Sequence, residues 1–235
     1  MSSAKDTLKG TLRIAVVSEG PTDKIVIEAV LATLLPQGDF IVTLQQPEFC
    51  VAFGDFRGEY GTGWKGVLRW CDACKVDFVD LTSHPLFRNF DVLIIHLDAD
   101  IADETDIKLA LQCPPASATT DRLRDLLCKR TGMSQMPGNI VLCVPSKATE
   151  AWVLAALYPD EKYSTHIECV PRPADRLAGK PATERLVSSG KKLPQKYEHR
   201  KDDITEQWPR VRLTCAEAQR FDHDLRRAVG YRLVA

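Results

Sequence analysis

Apolar residues along the chain fall into short continuous runs separated by stretches with helical spacing. Residues 12–18 (LRIAVVS) form an apolar, β-branched run, the pattern of a strand buried on both faces. Residues 40–44 give a second strand, and residues 92–97 and 139–144 give two more apolar runs of the same kind. After the first strand, Thr22 is placed to cap a helix, with Asp23 near its positive end. Ile25, Val26, Ala29, Val30 and Leu34 then recur at the helical period, and Pro36-Gln37-Gly38 ends the helix. Further helices are predicted from about Trp64 to Val76, over 121–130, from about Ala148 to Leu157, and over 215–229. In the last, Ala218, Phe221, Leu225 and Ala228 or Val229 share one face.

Strands alternating with helices predict an α/β fold, a mostly parallel sheet with helices on both faces. After Pro159 the pattern weakens: residues 160–210 are rich in Lys, Arg and Pro with little periodicity. The expected organisation is an α/β domain over 1–158 and a basic, helical C-terminal extension over 159–235 packed on it. With 235 residues the chain can bury a large core. Its 31 basic and 32 acidic residues exclude a global polycation, so any nucleic-acid binding must come from a local patch. The polar opening MSSAKDTLKGTLR lacks the apolar core of a signal peptide, and the longest apolar runs are too short for a membrane span. A soluble, cytoplasmic protein is expected, with its cysteines reduced. Cys50, Cys128 and Cys143 sit in apolar stretches and read as small core residues. Cys71-x-x-Cys74 has metal-ligand spacing but lacks the second pair of a structural zinc site, and reads as helix packing.

Two of the strands run into carboxylates: Glu19 follows the first, and Asp98-Ala99-Asp100 follows residues 92–97. In an open parallel sheet, ligands gather at the carboxyl ends of the strands. Residues two apart in extended chain point the same way, so Asp98 and Asp100 can share an ion if that conformation persists. Clustered carboxylates raise one another's pKa unless a cation neutralises them, and magnesium suits hard oxygen ligands. Taken singly, a Glu after a strand is a loop or cap residue and a DxD is a solvated turn. Their joint placement at strand ends of one sheet favours a site. His96, inside its strand, reads as buried and hydrogen-bonded.

Glu19-Gly20 after a strand, then a helix, then Asp98-x-Asp100 after a later strand resembles the Toprim domain of topoisomerases, bacterial primases and OLD-family nucleases. SEGPTDKIVIEAVL and VLIIHLDADIADE are similar to the first two motifs of small stand-alone and OLD-like Toprim nucleases, and PSKATEAWVLAAL to a third segment. The resemblance covers about residues 12–158. It implies a metal-dependent nuclease in which Glu19 is a metal ligand or general base and Asp98 and Asp100 hold Mg2+ or Mn2+. Asp103 and Glu104 would complete the shell, Glu150, opening a helix just after a strand, would be a further ligand, and Lys147 a charge stabiliser. It further implies DNA or RNA as substrate, a separate ATPase as partner, and a role in antiviral defence. The glycine-rich loop 54–66 and the basic stretch 172–201 are the candidate nucleic-acid contacts. The alternative is a non-catalytic Toprim module that binds nucleic acid or protein. Topoisomerase or primase chemistry needs domains for which the chain has little room.

Overall fold

The computed structural model describes residues 10–35, 38–50, 55–77, 81–163 and 166–234. Pro36 and Gln37, expected to end the first helix, lie outside the described residues, as do Gly54 of the glycine-rich loop and the Cys50 side chain. The first part of the chain runs β1 (Leu12–Val17), α1 (Pro21–Leu34), β2 (Phe40–Gln46), a short antiparallel pair β3 (Glu48–Cys50) and β4 (Asp55–Arg57), and α2 (Gly63–Asp77). It continues through β5 (Val92–His96), α3 (Ser117–Arg130), β6 (Ile140–Cys143) and α4 (Thr149–Leu157). The main sheet has the order β2-β1-β5-β6, and every pairing in it is parallel.

The apolar runs are continuous because both faces of the sheet are covered. Alternate residues of β1 part company: Leu12, Ile14 and Val16 enter one core, and Ala15 and Val17 the other. The first core lies under α1 and α4, and the second under α2 and α3. The expected α/β architecture, a parallel sheet with helices on both faces and a helical C-terminal segment, is what the chain forms.

Beyond residue 158 the chain is more ordered than its pattern suggested. It forms α5 (Pro173–Ala178), a hairpin of β7 (Val187–Ser188) and β8 (Lys191–Lys192), then α6 (Pro194–His199), α7 (Lys201–Thr214) and α8 (Ala216–Val234). In α7, Ile204, Trp208 and Val211 face inward and join the core under α1 and α4. Trp208 meets Trp152 of α4 edge-on at 5.6 Å, and Trp152 stacks on Phe221 of α8 at 5.9 Å. This segment therefore shares a core with the α/β unit.

The cysteines depart from expectation. Cys113 and Cys169 are joined by a disulfide, with Cα atoms 5.4 Å apart, so a uniformly reduced set does not describe the molecule. Cys71, Cys74, Cys143 and Cys215 are buried and free, and Cys71 and Cys74 pack α2 into the core. Among the described residues, no helix is long and apolar enough to cross a membrane.

Candidate metal centre

The central strands β1 and β5 pair in register, Val17 opposite Ile95, so the residues just beyond their carboxyl ends meet. The Asp98 backbone N–H donates to Glu19 Oε1 at 2.9 Å. Asp98 Oδ1 accepts from the Thr149 N–H at the start of α4, 3.2 Å away, which fixes the carboxylate. His96 Nε2 lies 3.1 Å from Asp98 Oδ1, and Nδ1 lies 3.8 Å from Asp23 Oδ2. Neither ring nitrogen has a partner in hydrogen-bond geometry, although the residue is fully buried. One ligand atom each from Glu19, His96 and Asp98 lies within 4.8 Å of the others, a spacing that a single ion can span.

Behind this trio lies a second charged layer. Asp23, in the first turn of α1, accepts from the Gly20 N–H at 3.0 Å and from Thr149 Oγ1 at 3.0 Å. Lys192 Nζ stands between Asp23 Oδ1 at 3.2 Å and Glu150 Oε1 at 2.8 Å. The Tyr197 hydroxyl donates to the same Glu150 oxygen at 2.8 Å. Lys192 arrives on β8 through a two-residue turn in which Ser189 and Gly190 have φ of 50° and 72°, as the tight primed hairpins require.

The electrostatics follow from this crowding. Burial, and then the charge of Asp98, raises the Glu19 pKa well above the carboxylate range, with His96 opposing. Burial also raises Glu150 against the pull of Lys192. Asp23 is buried too, yet Lys192 and His96 hold its pKa below the ordinary value. Burial works against charge on His96, but Asp23 and Asp98 prevail and push its pKa up to about 9. Likewise Asp23 and Glu150 overcome desolvation at Lys192 and hold its pKa well above the lysine range.

A cleft of about 400 Å³ opens over the trio, walled by Glu19, Trp64, Asp98, Asp100, Glu104, Glu150, Arg172 and Lys192 among others. The extended conformation imagined for Asp98-x-Asp100 does not persist. Asp98 is the N-cap of a 3-10 turn, Ala99–Asp103, so it points inward, 5% exposed, while Asp100 stands exposed on the cleft wall. Partial desolvation of its carboxyl, together with the Asp98 charge, pushes the Asp100 pKa up to about 7. Glu104 reaches the cleft wall, whereas Asp103 is exposed and does not line it. Lys147 is buried and does not line the cleft; burial lowers its pKa against the attraction of Asp100 and Asp103.

Sequence reasoning brought Glu19, Asp98, Asp100, Glu104 and Glu150 to one place, and the structure gathers them around the cleft. It read His96 as hydrogen-bonded and Asp23 as a dipole partner for α1, yet both are buried inside the cluster. Lys192, expected in the basic stretch as a phosphate contact, is instead paired with Asp23 and Glu150, and Tyr197 had no expected role; the Ser189-Gly190 turn signal would have marked the hairpin that delivers Lys192. Much of that stretch is engaged within the chain: Lys180 with Glu161, Arg200 with Asp203, and Lys201 with Glu28 and Glu198.

A divalent ion fits this donor set. The trio offers two carboxylates and an imidazole; neither buried His96 nitrogen is in hydrogen-bond geometry, and Nε2, facing Asp98 Oδ1 at 3.1 Å, can serve an ion once the ring gives up its proton. Comparison with protein-family models, curated proteins and solved structures returned no match. The class defined by fold and site is therefore a parallel α/β protein with an acidic, histidine-bearing centre at its strand ends.

Proposed function

We propose that this chain is a divalent-metal-dependent phosphodiester hydrolase of Toprim type, acting on DNA or RNA. The observation that carries the reading is the convergence of Glu19, His96 and Asp98 at the ends of adjacent parallel strands, beneath an open cleft. Glu19, His96 and Asp98 would hold Mg2+ or Mn2+, with Asp100 and Glu104 within the same cleft. Bound there, the ion supplies an activated water and neutralises charge on the phosphate. Asp98 is oriented by the Thr149 N–H, and Glu19 by the Asp98 N–H, so the ligands are set before any substrate enters. Arg172, its side chain 87% exposed on the cleft wall, is the cation best placed to meet a phosphate, and Trp64 on the same wall offers a face for a base. The resemblance extends the reading to an ATPase partner and to antiviral defence.

Plasmid or RNA cleavage that requires Mg2+ or Mn2+, and is lost in both Glu19→Gln and Asp98→Asn, is the expected result. Cleavage that persists in both variants would overturn the assignment. A second reading, a non-catalytic nucleic-acid- or protein-binding module, is favoured by one observation. Lys192 and a protonated His96 already supply positive charge among the carboxylates. That reading expects binding indifferent to chelator and no cleavage with either metal.

A further inference from the structure

Besides Glu19 and Asp98, the centre gathers Asp23 and Glu150, while Asp100, Glu104 and Asp175 stand on the cleft wall at the same end of the sheet. Two-ion phosphodiesterase sites gather carboxylates around a pair of cations about 3.5–4 Å apart. Here the carboxylates are not equivalent. Glu19 and Asp98 converge with His96, whereas Asp23 and Glu150 converge on the ammonium of Lys192, at 3.2 and 2.8 Å.

Lys192 is held there by construction. The turn at Ser189-Gly190 fixes the hairpin, and Glu150, whose oxygen takes both the ammonium and the Tyr197 hydroxyl, fixes the end of the side chain. The side chain also borders the cleft and stays 32% exposed, so its charge faces whatever enters. An ammonium is a compact point charge with several donors, and it can sit among carboxylates as an ion does.

We propose, resting on the metal-dependent reading above, that Lys192 stands in for a second metal ion: the centre takes one divalent cation, at Glu19–His96–Asp98, and Lys192 neutralises the Asp23–Glu150 pair. Asp23 and Glu150 are then ligands to the lysine, and the single ion depends on Glu19 and Asp98 alone among these four carboxylates.

The test is Mn2+ stoichiometry, by calorimetric titration and by metal content after equilibrium dialysis, on the full chain. The wild type is expected to bind one Mn2+ per chain, and Lys192→Ala to bind two, the second at the vacated position. Glu150→Gln should still bind one, and Glu19→Gln none. Two ions in the wild type would overturn the inference while leaving a metal-dependent site intact, and so would one ion in a folded Lys192→Ala. No Mn2+ in the wild type would remove the metal reading itself, and the inference with it. Should Lys192→Ala fail to fold, the wild-type and Glu150→Gln stoichiometries still decide: loss of the ion in Glu150→Gln would make Glu150 a metal ligand and overturn the assignment.

Discussion

Single residues at this centre do different work from what their neighbours in sequence suggest. Glu150 opens a helix, where a carboxylate ordinarily sits in solvent favouring the positive helix end, yet it is 1% exposed and bound by Tyr197 and Lys192. Tyr197 is fully buried, and its hydroxyl has this one charged acceptor. Tyr197→Phe keeps the ring and its packing and removes only the donor. Hydrogen bonds to charged groups contribute about 1.5–3 kcal/mol, so a loss of that size in urea unfolding is expected. An unchanged midpoint would mean that Lys192 alone satisfies Glu150. The acidic residues were legible because a strand end followed by Glu or Asp is a local pattern. The partners of those residues were not: nothing in the sequence around Lys192 or Tyr197 distinguishes a buried, paired charge from a solvated one, and the decision lies with side chains far away in the chain.

Elements differ in the same way. β1, β5 and β6 declare themselves because burial on both faces demands unbroken apolar runs, α1 because its core residues follow the helical period, and α4 because it is buried all round, from Thr149 through Ala156, and is apolar from Ala151 on. α7 hid because only Ile204, Trp208 and Val211 are buried in a charged segment that also carries Pro209. The start of α2 shows how closely elements seat around the centre. Gly63 donates its N–H to the Glu19 carbonyl at 3.0 Å, and one turn later Gly66 lies against the Gly61 carbonyl and the Gln46 amide. A Cβ on Gly66 would meet Gln46 Nε2 at 2.5 Å and Gly61 O at 3.0 Å, while Gln46 itself is buried and bonded to Gly61. Gly66→Ala should therefore displace α2 from the loop beside Glu19 and cost about 1–3 kcal/mol, as overpacking does. Gly179→Ala is the control, since its new Cβ meets Arg176 O at an ordinary 3.5 Å and should change stability by no more than about 0.5 kcal/mol. Equal urea midpoints for the two variants would dismiss the close seating of α2.

At the scale of the molecule, the centre is assembled from segments spread from Glu19 to Tyr197, and its geometry depends on the C-terminal half staying docked. Helix α7 holds it by packing on α1 and α4. At the start of α8, the buried Glu168 accepts from the Ala216 and Glu217 N–H groups at 2.8 and 2.9 Å, closing the helix end. Next to Glu168, the Cys113–Cys169 disulfide crosses from the stretch that follows the Asp98–Glu104 turn to the stretch that leads into α5. Cys113 Sγ also lies 3.2 Å from Ser146 Oγ, in the loop that ends at Thr149, so the link adjoins the segment that orients Asp98. The bond closes a loop over a sequence separation of 56 residues, and in the chain-entropy model a closure of that length stabilises the fold by about 4 kcal/mol. Urea unfolding with a phosphine reductant should therefore show a loss approaching that figure, and the Cys113→Ser, Cys169→Ser double variant should show the same loss without reductant. If both midpoints stay where the untreated protein puts them, the packing of α7 and the Glu168 cap hold the C-terminal half by themselves, and the covalent link adds nothing to the alignment of the centre.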